Sequence, residues 1–213
     1  MDTPGGEVVE LDGTGVRVAV VAGGRRPRGV AGLLRAHLAA SAGVPADDVE
    51  LDEACPVCGL RHGSPSVRYP TTPSGGTWYA DAATAGGVVV AAVGTRHPVG
   101  VGVEVVTPEP SPVLDAAALH PDERARLDAL DPGSRPLVRA QLWARKAALL
   151  RAVGHLDVLE PARIALSVPG DDDGEARVRR GVPEVGPGWA ELRILDLDVP
   201  GRVAASVALL PRR

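Results

Sequence analysis

Lys146 is the only lysine among 23 cationic residues, and it sits in the run Gln141-Leu-Trp143-Ala-Arg145-Lys146-Ala-Ala-Leu-Leu-Arg151-Ala-Val-Gly154. An ammonium placed three residues after a tryptophan is either a solvated side chain on a core helix or a group that meets an anion. Glu104 is the second residue of chemical interest, because it interrupts the valine run Val99-Gly-Val-Gly-Val-Glu104-Val-Val106. A carboxylate in such a run is costly unless it is paired, holds a cation or points out from an edge. A third group lies in Cys55-Pro-Val-Cys58-Gly-Leu-Arg-His62-Gly63-Ser64-Pro65. Cys-x2-Cys followed by histidine suggests zinc, yet a structural zinc takes four ligands and no fourth is near in the sequence. A buried thiol pair in a tight loop is the competing reading. Finally, Arg25, Arg26 and Arg28 follow a strand and a glycine turn and open a helix, which makes either a phosphate site or a solvated arginine cluster. No G-x-G-x-x-G accompanies them, so a dinucleotide fingerprint is not supported.

The elements that must position these residues follow from periodicity. Leu137, Val138, Leu142, Trp143, Leu149, Leu150 and Val153 recur at helical spacing, and Gly154 is a stop signal. A second helix is expected from about residue 29 to 40, with Val30, Leu33, Leu34 and Leu38 on one face. A third is expected over His120–Leu130, with proline and acids in its first turn. Strands are expected over Val16–Val21, Gly87–Val93, Val99–Val106, Ala162–Val168, Trp189–Leu197 and Val203–Leu210. Pro70–Gly76 reads as loop, and Asp171-Asp172-Asp173-Gly174 reads as a solvated acidic turn. The proline-rich stretch Pro108–Pro112 is the expected crossover, dividing the chain into halves 1–107 and 108–213. The expected fold class is α+β: two pseudo-symmetric halves, each a small antiparallel sheet packed on one long helix.

Composition bounds the rest. At 213 residues, 45% apolar and net charge -4, the chain can bury a full core and is not of disordered type. With no phenylalanine and only 2% aromatics, that core must be valine, leucine and alanine. Mild acidity and scarce aromatics argue against a nucleic-acid binder, which needs a basic face or a stacking platform. The acidic, polar N-terminus lacks the pattern of a signal peptide, and the longest apolar run, Ala82–Val93, is too short to span a membrane. A cytoplasmic protein is therefore expected.

The order of these pieces resembles the 4'-phosphopantetheinyl transferase superfamily, of the larger type that activates surfactin synthetase. The resemblance covers nearly the whole chain. It runs from the arginine-rich first helix through the Cys-x2-Cys-Gly-x2-His-Gly-x-Pro loop, the Val101-Gly-Val-Glu-Val strand and the Leu119-His-Pro-Asp-Glu-Arg helix. It ends with the Trp-x-x-Lys helix and the Leu195-Asp-Leu-Asp-Val-Pro-Gly segment. It implies transfer of the phosphopantetheine arm of coenzyme A to a serine of an acyl or peptidyl carrier protein, by a monomer with the cofactor in a cleft between its halves. In such proteins a magnesium ion bridges the pyrophosphate and a carboxylate assists removal of the serine proton.

Residue by residue, the resemblance implies catalytic roles for Glu104 and Lys146, with Glu104 also a magnesium ligand. It implies coenzyme A contacts from Arg28, Gly63, Ser64, Pro65, Lys146 and Arg151, and a cleft lined by Lys146, Glu104 and the Gly63 turn. The chain departs from the family pattern at most reactive positions. Glu104 stands for an aspartate, Val106 and Ala147 for glutamates, and Ser64 for a lysine. Arg151 stands where a second lysine is usual, and Ala82 and Ala83 fall near a Ser-His pair. Loss of a general base alone costs about 10²–10⁴-fold, so impaired transfer is expected. Three readings stay open: a remodelled transferase in which Glu104 and another carboxylate such as Glu109 take over, a catalytically silent binder of coenzyme A, a carrier protein or another enzyme, and a new activity on the same fold.

Overall fold

The computed structural model describes residues 6–23, 29–55, 58–60, 62–109, 111–154, 159–183 and 191–211. Arg25, Arg26 and Arg28 lie outside the described residues. The first sheet has six antiparallel strands in the order β1-β2-β6-β5-β4-β3. These are β1 (Glu7–Leu11), β2 (Val16–Ala22), β3 (Glu50–Asp52), β4 (Ser66–Thr71), β5 (Thr77–Ala85) and β6 (Val88–Gly94). The second has the order β7-β12-β11-β9, built from β7 (Val99–Val105), β9 (Glu175–Ala176), β11 (Arg193–Leu197) and β12 (Val203–Leu209). A short pair, β8 (Ala165–Leu166) with β10 (Val178–Arg180), stands apart. The helices are α1 (Val30–Ala42), α2 (Pro112–Ala118), α3 (Pro121–Ala129) and α4 (Arg135–Val153).

Strand alternation explains the layering. On β6, Val88, Val90 and Ala92 face one way, joining Val16 and Val18 of β2 against Val99, Val101 and Val103 of β7 and Val203, Ala205, Val207 and Leu209 of β12. That valine layer glues the two sheets face to face. The alternate residues Val89, Ala91 and Val93 meet Leu33, Leu34 and Leu38 of α1. On β12 the alternate residues Ala204 and Ala208 meet α4. The order of layers is thus helix, sheet, sheet, helix, and β6 and β12 are almost wholly apolar, Ser206 excepted, because both of their faces are covered.

The α+β class agrees with the expectation, and the structure adds detail that periodicity did not carry. β5 was not expected, because Thr77-Trp-Tyr-Ala-Asp-Ala-Ala-Thr-Ala85 lacks a valine run; it is a strand because it pairs along its length with β6. The strand expected over 162–168 shortens to Ala165–Leu166, preceded by a 3-10 turn at Pro161–Arg163. β7 lies before the expected division at Thr107–Pro112, yet its register partners are all on β12 of the second sheet. No helix among the described residues is long and apolar enough to cross a membrane.

Among the described residues, the backbone approach with least room for a side chain is α4 on β7. A Cβ built on Gly102 would lie 2.0 Å from the Ala144 carbonyl oxygen, and one on Gly100 would lie 2.2 Å from that of Ala148. The alternating glycines of Val-Gly-Val-Gly-Val therefore present bare backbone to the helix while their valine neighbours fill the core. Gly102→Ala is expected to cost about 3 kcal/mol or more, the upper end for forcing extra volume into a packed core. A urea titration checks this, and a midpoint equal to that of the parent chain would refute the contact.

Candidate functional site

A cleft of about 250 Å³ opens where α1, β5 and the 62–65 turn meet the end of α4. Its walls are Val30, Ala31 and Leu34 of α1, Leu51 and Glu53, the turn of His62, Gly63 and Pro65, Asp81 and Ala82 of β5, and Arg151 of α4. α1 begins at Gly29 without a side-chain cap and without an acid in its first turn, so the positive end of the helix lies beside the cleft, which Glu53 and Asp81 also line. Arg151 is fixed by Asp81, whose buried carboxylate accepts from the guanidinium Nε at 2.7 Å and also from Nη2. Asp81 further accepts from the Val101 amide at 2.7 Å, which ties β5 to β7. Burial pushes the Asp81 carboxyl upward, and Arg151 and the Val101 amide oppose that rise. Nothing in the sequence pattern singled out Asp81; an acid inside an alanine-rich strand was the available signal.

The Gly63 turn is built into the fold as much as into the cleft. Gly63 has φ +70°, and a Cβ there would lie 2.7 Å from the Cα of Gly154. The Ser64 amide donates to the Arg151 carbonyl at 3.2 Å. Its hydroxyl lies 2.7 Å from the Val99 carbonyl and 3.1 Å from that of Arg151. Such groups satisfy the last carbonyls of a helix, which have no partner inside it. Ser64, expected among the coenzyme A contacts, thus caps α4.

Lys146 and Glu104 do not line this cleft. Lys146 is 2% exposed, and its ammonium lies 3.0 Å from Glu123 Oε2. It also donates to the Pro161 carbonyl at 2.8 Å and to the Ile164 carbonyl. Glu123, itself 1% exposed, accepts in turn from the amides of His120 at 2.8 Å and Leu166 at 2.7 Å. Burial holds the Lys146 ammonium below its ordinary range, against the pull of Glu123. All three ammonium donors are therefore spent on α3 and the 161–164 turn. Arg145 is likewise internal: its guanidinium spans Asp196 (2.6 and 2.9 Å) and Asp172 (2.9 and 3.0 Å) and donates to the Ser167 carbonyl. Asp172 corrects the expectation of a solvated acidic turn, because Arg145 draws it inward.

Glu104 lies in a separate cavity of about 150 Å³ with Glu109, Asp115, Arg139 and Trp143. Asp115 accepts from Arg139 Nε at 3.0 Å and from Trp143 Nε1 at 3.2 Å. Among the described residues the Glu104 carboxylate has no hydrogen-bond or ion-pair partner, and burial alone pushes it upward. Val106, the next outward position on that face, packs against Ala140, Ala144 and Ala204. Trp143 and Arg151 are eight residues apart on α4, so the two cavities are separated by about 12 Å along the helix. A third grouping sits at the mouth of the 62–65 turn: the ligand atoms of Cys55, Cys58 and His62 all lie within 4.8 Å of one another. Arg28 lies outside the described residues. No family model matches the chain, and no curated protein of similar sequence matches it.

Two outcomes test these roles. Lys146→Met leaves Glu123 buried without its cation and is expected to cost about 3–5 kcal/mol, read as a lowered urea midpoint; a change under 1 kcal/mol would return Lys146 to a functional role. For Glu104, the native state holds its proton to higher pH than the unfolded chain, so ionisation removes stability as pH rises through the carboxylate range. Glu104→Gln should therefore raise the urea midpoint at pH 7, with the gain vanishing once both states are protonated in acid. Equal midpoints at pH 7 would reveal a compensating partner for the carboxylate.

Proposed function

We propose that this is a 4'-phosphopantetheinyl transferase-like protein that receives coenzyme A in the α1–Arg151 cleft and no longer carries out transfer at the family's rate. The observation that carries the reading is the cleft itself. It joins an uncapped helix N-terminus, a glycine-proline turn and an oriented guanidinium, three features that suit phosphate oxygens, and it draws them from elements remote in sequence. In the sequence, the run Arg25, Arg26 and Arg28 directly precedes that helix and carries charge of the right sign. The helix–sheet–sheet–helix layering, with one main helix per sheet, is compatible with two pseudo-symmetric halves.

The residues present do not fit a magnesium centre of the family kind. Magnesium with a bound nucleotide uses one or two carboxylates, phosphates and water. Here Glu104 shares its cavity with Glu109 and Asp115, but Asp115 is held by Arg139 and Trp143, Val106 is packed in an alanine layer, and the phosphate-suited cleft lies about 12 Å away along the helix. The second reading, a catalytically silent binder whose partner is an acyl or peptidyl carrier protein, is favoured by the same sealing of Lys146 and loss of the metal ligands.

Calorimetric titration of coenzyme A into the protein, with and without magnesium, tests the proposal. Binding of equal affinity in both conditions is expected, and Ala31→Glu, which sets a carboxylate in the first turn of α1, should weaken it by more than tenfold, about 1.4 kcal/mol. Absence of heat at millimolar coenzyme A would sink the reading.

A further inference from the structure

Cys55, Cys58 and His62 form a cluster of which only His62 also lines the cleft. Both cysteines are thiols, Cys55 buried and Cys58 exposed. The Gly59 amide donates to the Cys55 carbonyl at 2.8 Å, and the Cys55 amide to the Leu60 carbonyl at 2.8 Å. Gly59 takes φ +76°, a conformation that turns the chain tightly enough to bring the two cysteines together.

The histidine carries the decisive detail. His62 Nδ1 lies 2.8 Å from the Gly154 carbonyl oxygen, and a carbonyl can only accept, so Nδ1 holds the proton. Nε2 is thereby left with its lone pair, directed at Cys58 Sγ 2.8 Å away. A metal-ligating histidine characteristically donates its other ring N–H to a backbone carbonyl, which fixes tautomer and orientation. The same hydrogen bond is in place here, supplied by the C-terminal residue of α4's cap.

We propose that Cys55 Sγ, Cys58 Sγ and His62 Nε2 bind one zinc ion, with water or an incoming ligand in the fourth position. Two thiolates and an imidazole select a borderline-soft tetrahedral ion over magnesium or calcium. Two thiolates also balance the charge of a divalent ion. Zinc–sulfur and zinc–nitrogen bonds at tetrahedral angles set sulfur and nitrogen about 3.6 Å apart, so filling the site opens the Cys58–His62 contact by under about 1 Å from its 2.8 Å. Through the His62–Gly154 hydrogen bond, the ion would anchor the 55–65 loop to the end of α4. This inference stands whether or not the cleft binds coenzyme A.

The test uses the full-length, tag-free chain, kept reduced. Elemental analysis is expected to give one zinc per chain. After removal of zinc, titration with cobalt(II) alone should give the visible d–d bands and near-ultraviolet thiolate charge transfer of a tetrahedral sulfur-ligated ion. Cys58→Ser, at an exposed position, should keep the fold and weaken cobalt binding by more than the 10–100-fold that loss of a supporting hydrogen bond costs. Chelator should lower the melting temperature of the parent chain and leave that of Cys58→Ser unchanged. A reduced chain that binds neither metal, or a Cys58→Ser variant that binds cobalt as tightly as the parent, overturns the proposal.

Discussion

The bare backbone of β7 against α4 is the constraint on which the rest of the structure depends. Gly100 and Gly102 let a helix backbone approach a strand closer than any side chain permits, and Ala144, Ala148 and Ala152 complete the contact from the helix side. Because the helix lies so close, the opposite faces of β7 and β12 can be given wholly to valine, and that valine layer joins the two sheets. With almost no aromatic volume available, the chain reaches a dense core by bringing backbones together around small and β-branched side chains.

Close seating of α4 forces its cations inward. Arg145, Lys146 and Arg151 each find carboxylates on different elements: Asp172 and Asp196, Glu123, and Asp81. Buried charges of this kind add little net stability over apolar packing, since desolvation offsets most of the attraction, but each is expensive to leave without its partner. Their effect is geometric. Together they fix the rotation and height of α4 relative to α3, the second sheet and β5, which is a task that a sliding surface of alanines cannot perform alone.

The cleft follows from that placement. Arg151 reaches across to Asp81, the 62–65 turn caps the last carbonyls of α4, and the space left between this joint and the start of α1 is the cavity. The joint and the cavity share residues, so the same atoms that tie α4 to β5 and the 62–65 turn present an oriented guanidinium beside a helix terminus to whatever enters. The Cys55–Cys58–His62 group closes the outer side of the joint, again through α4, at Gly154.

Much of this was legible in the sequence. Helical spacing and Gly154 marked α4, runs rich in valine and alanine or glycine marked β6, β7 and β12, and Cys-x2-Cys-x3-His marked a ligand cluster, because periodicity and local spacing are properties of neighbouring residues. The α+β class followed from them. Tertiary structure alone decided what the charged residues do. The sequence could show that Lys146 is singular and Glu104 anomalous, yet the ammonium is sealed by Glu123, 23 residues earlier in the chain, while the carboxylate meets no partner among the described residues. Asp81 drew no notice in the sequence, and it became the anchor of Arg151 seventy residues away. A charge is read by the field around it, and in a packed interior that field comes from elements remote in sequence, which no local pattern records.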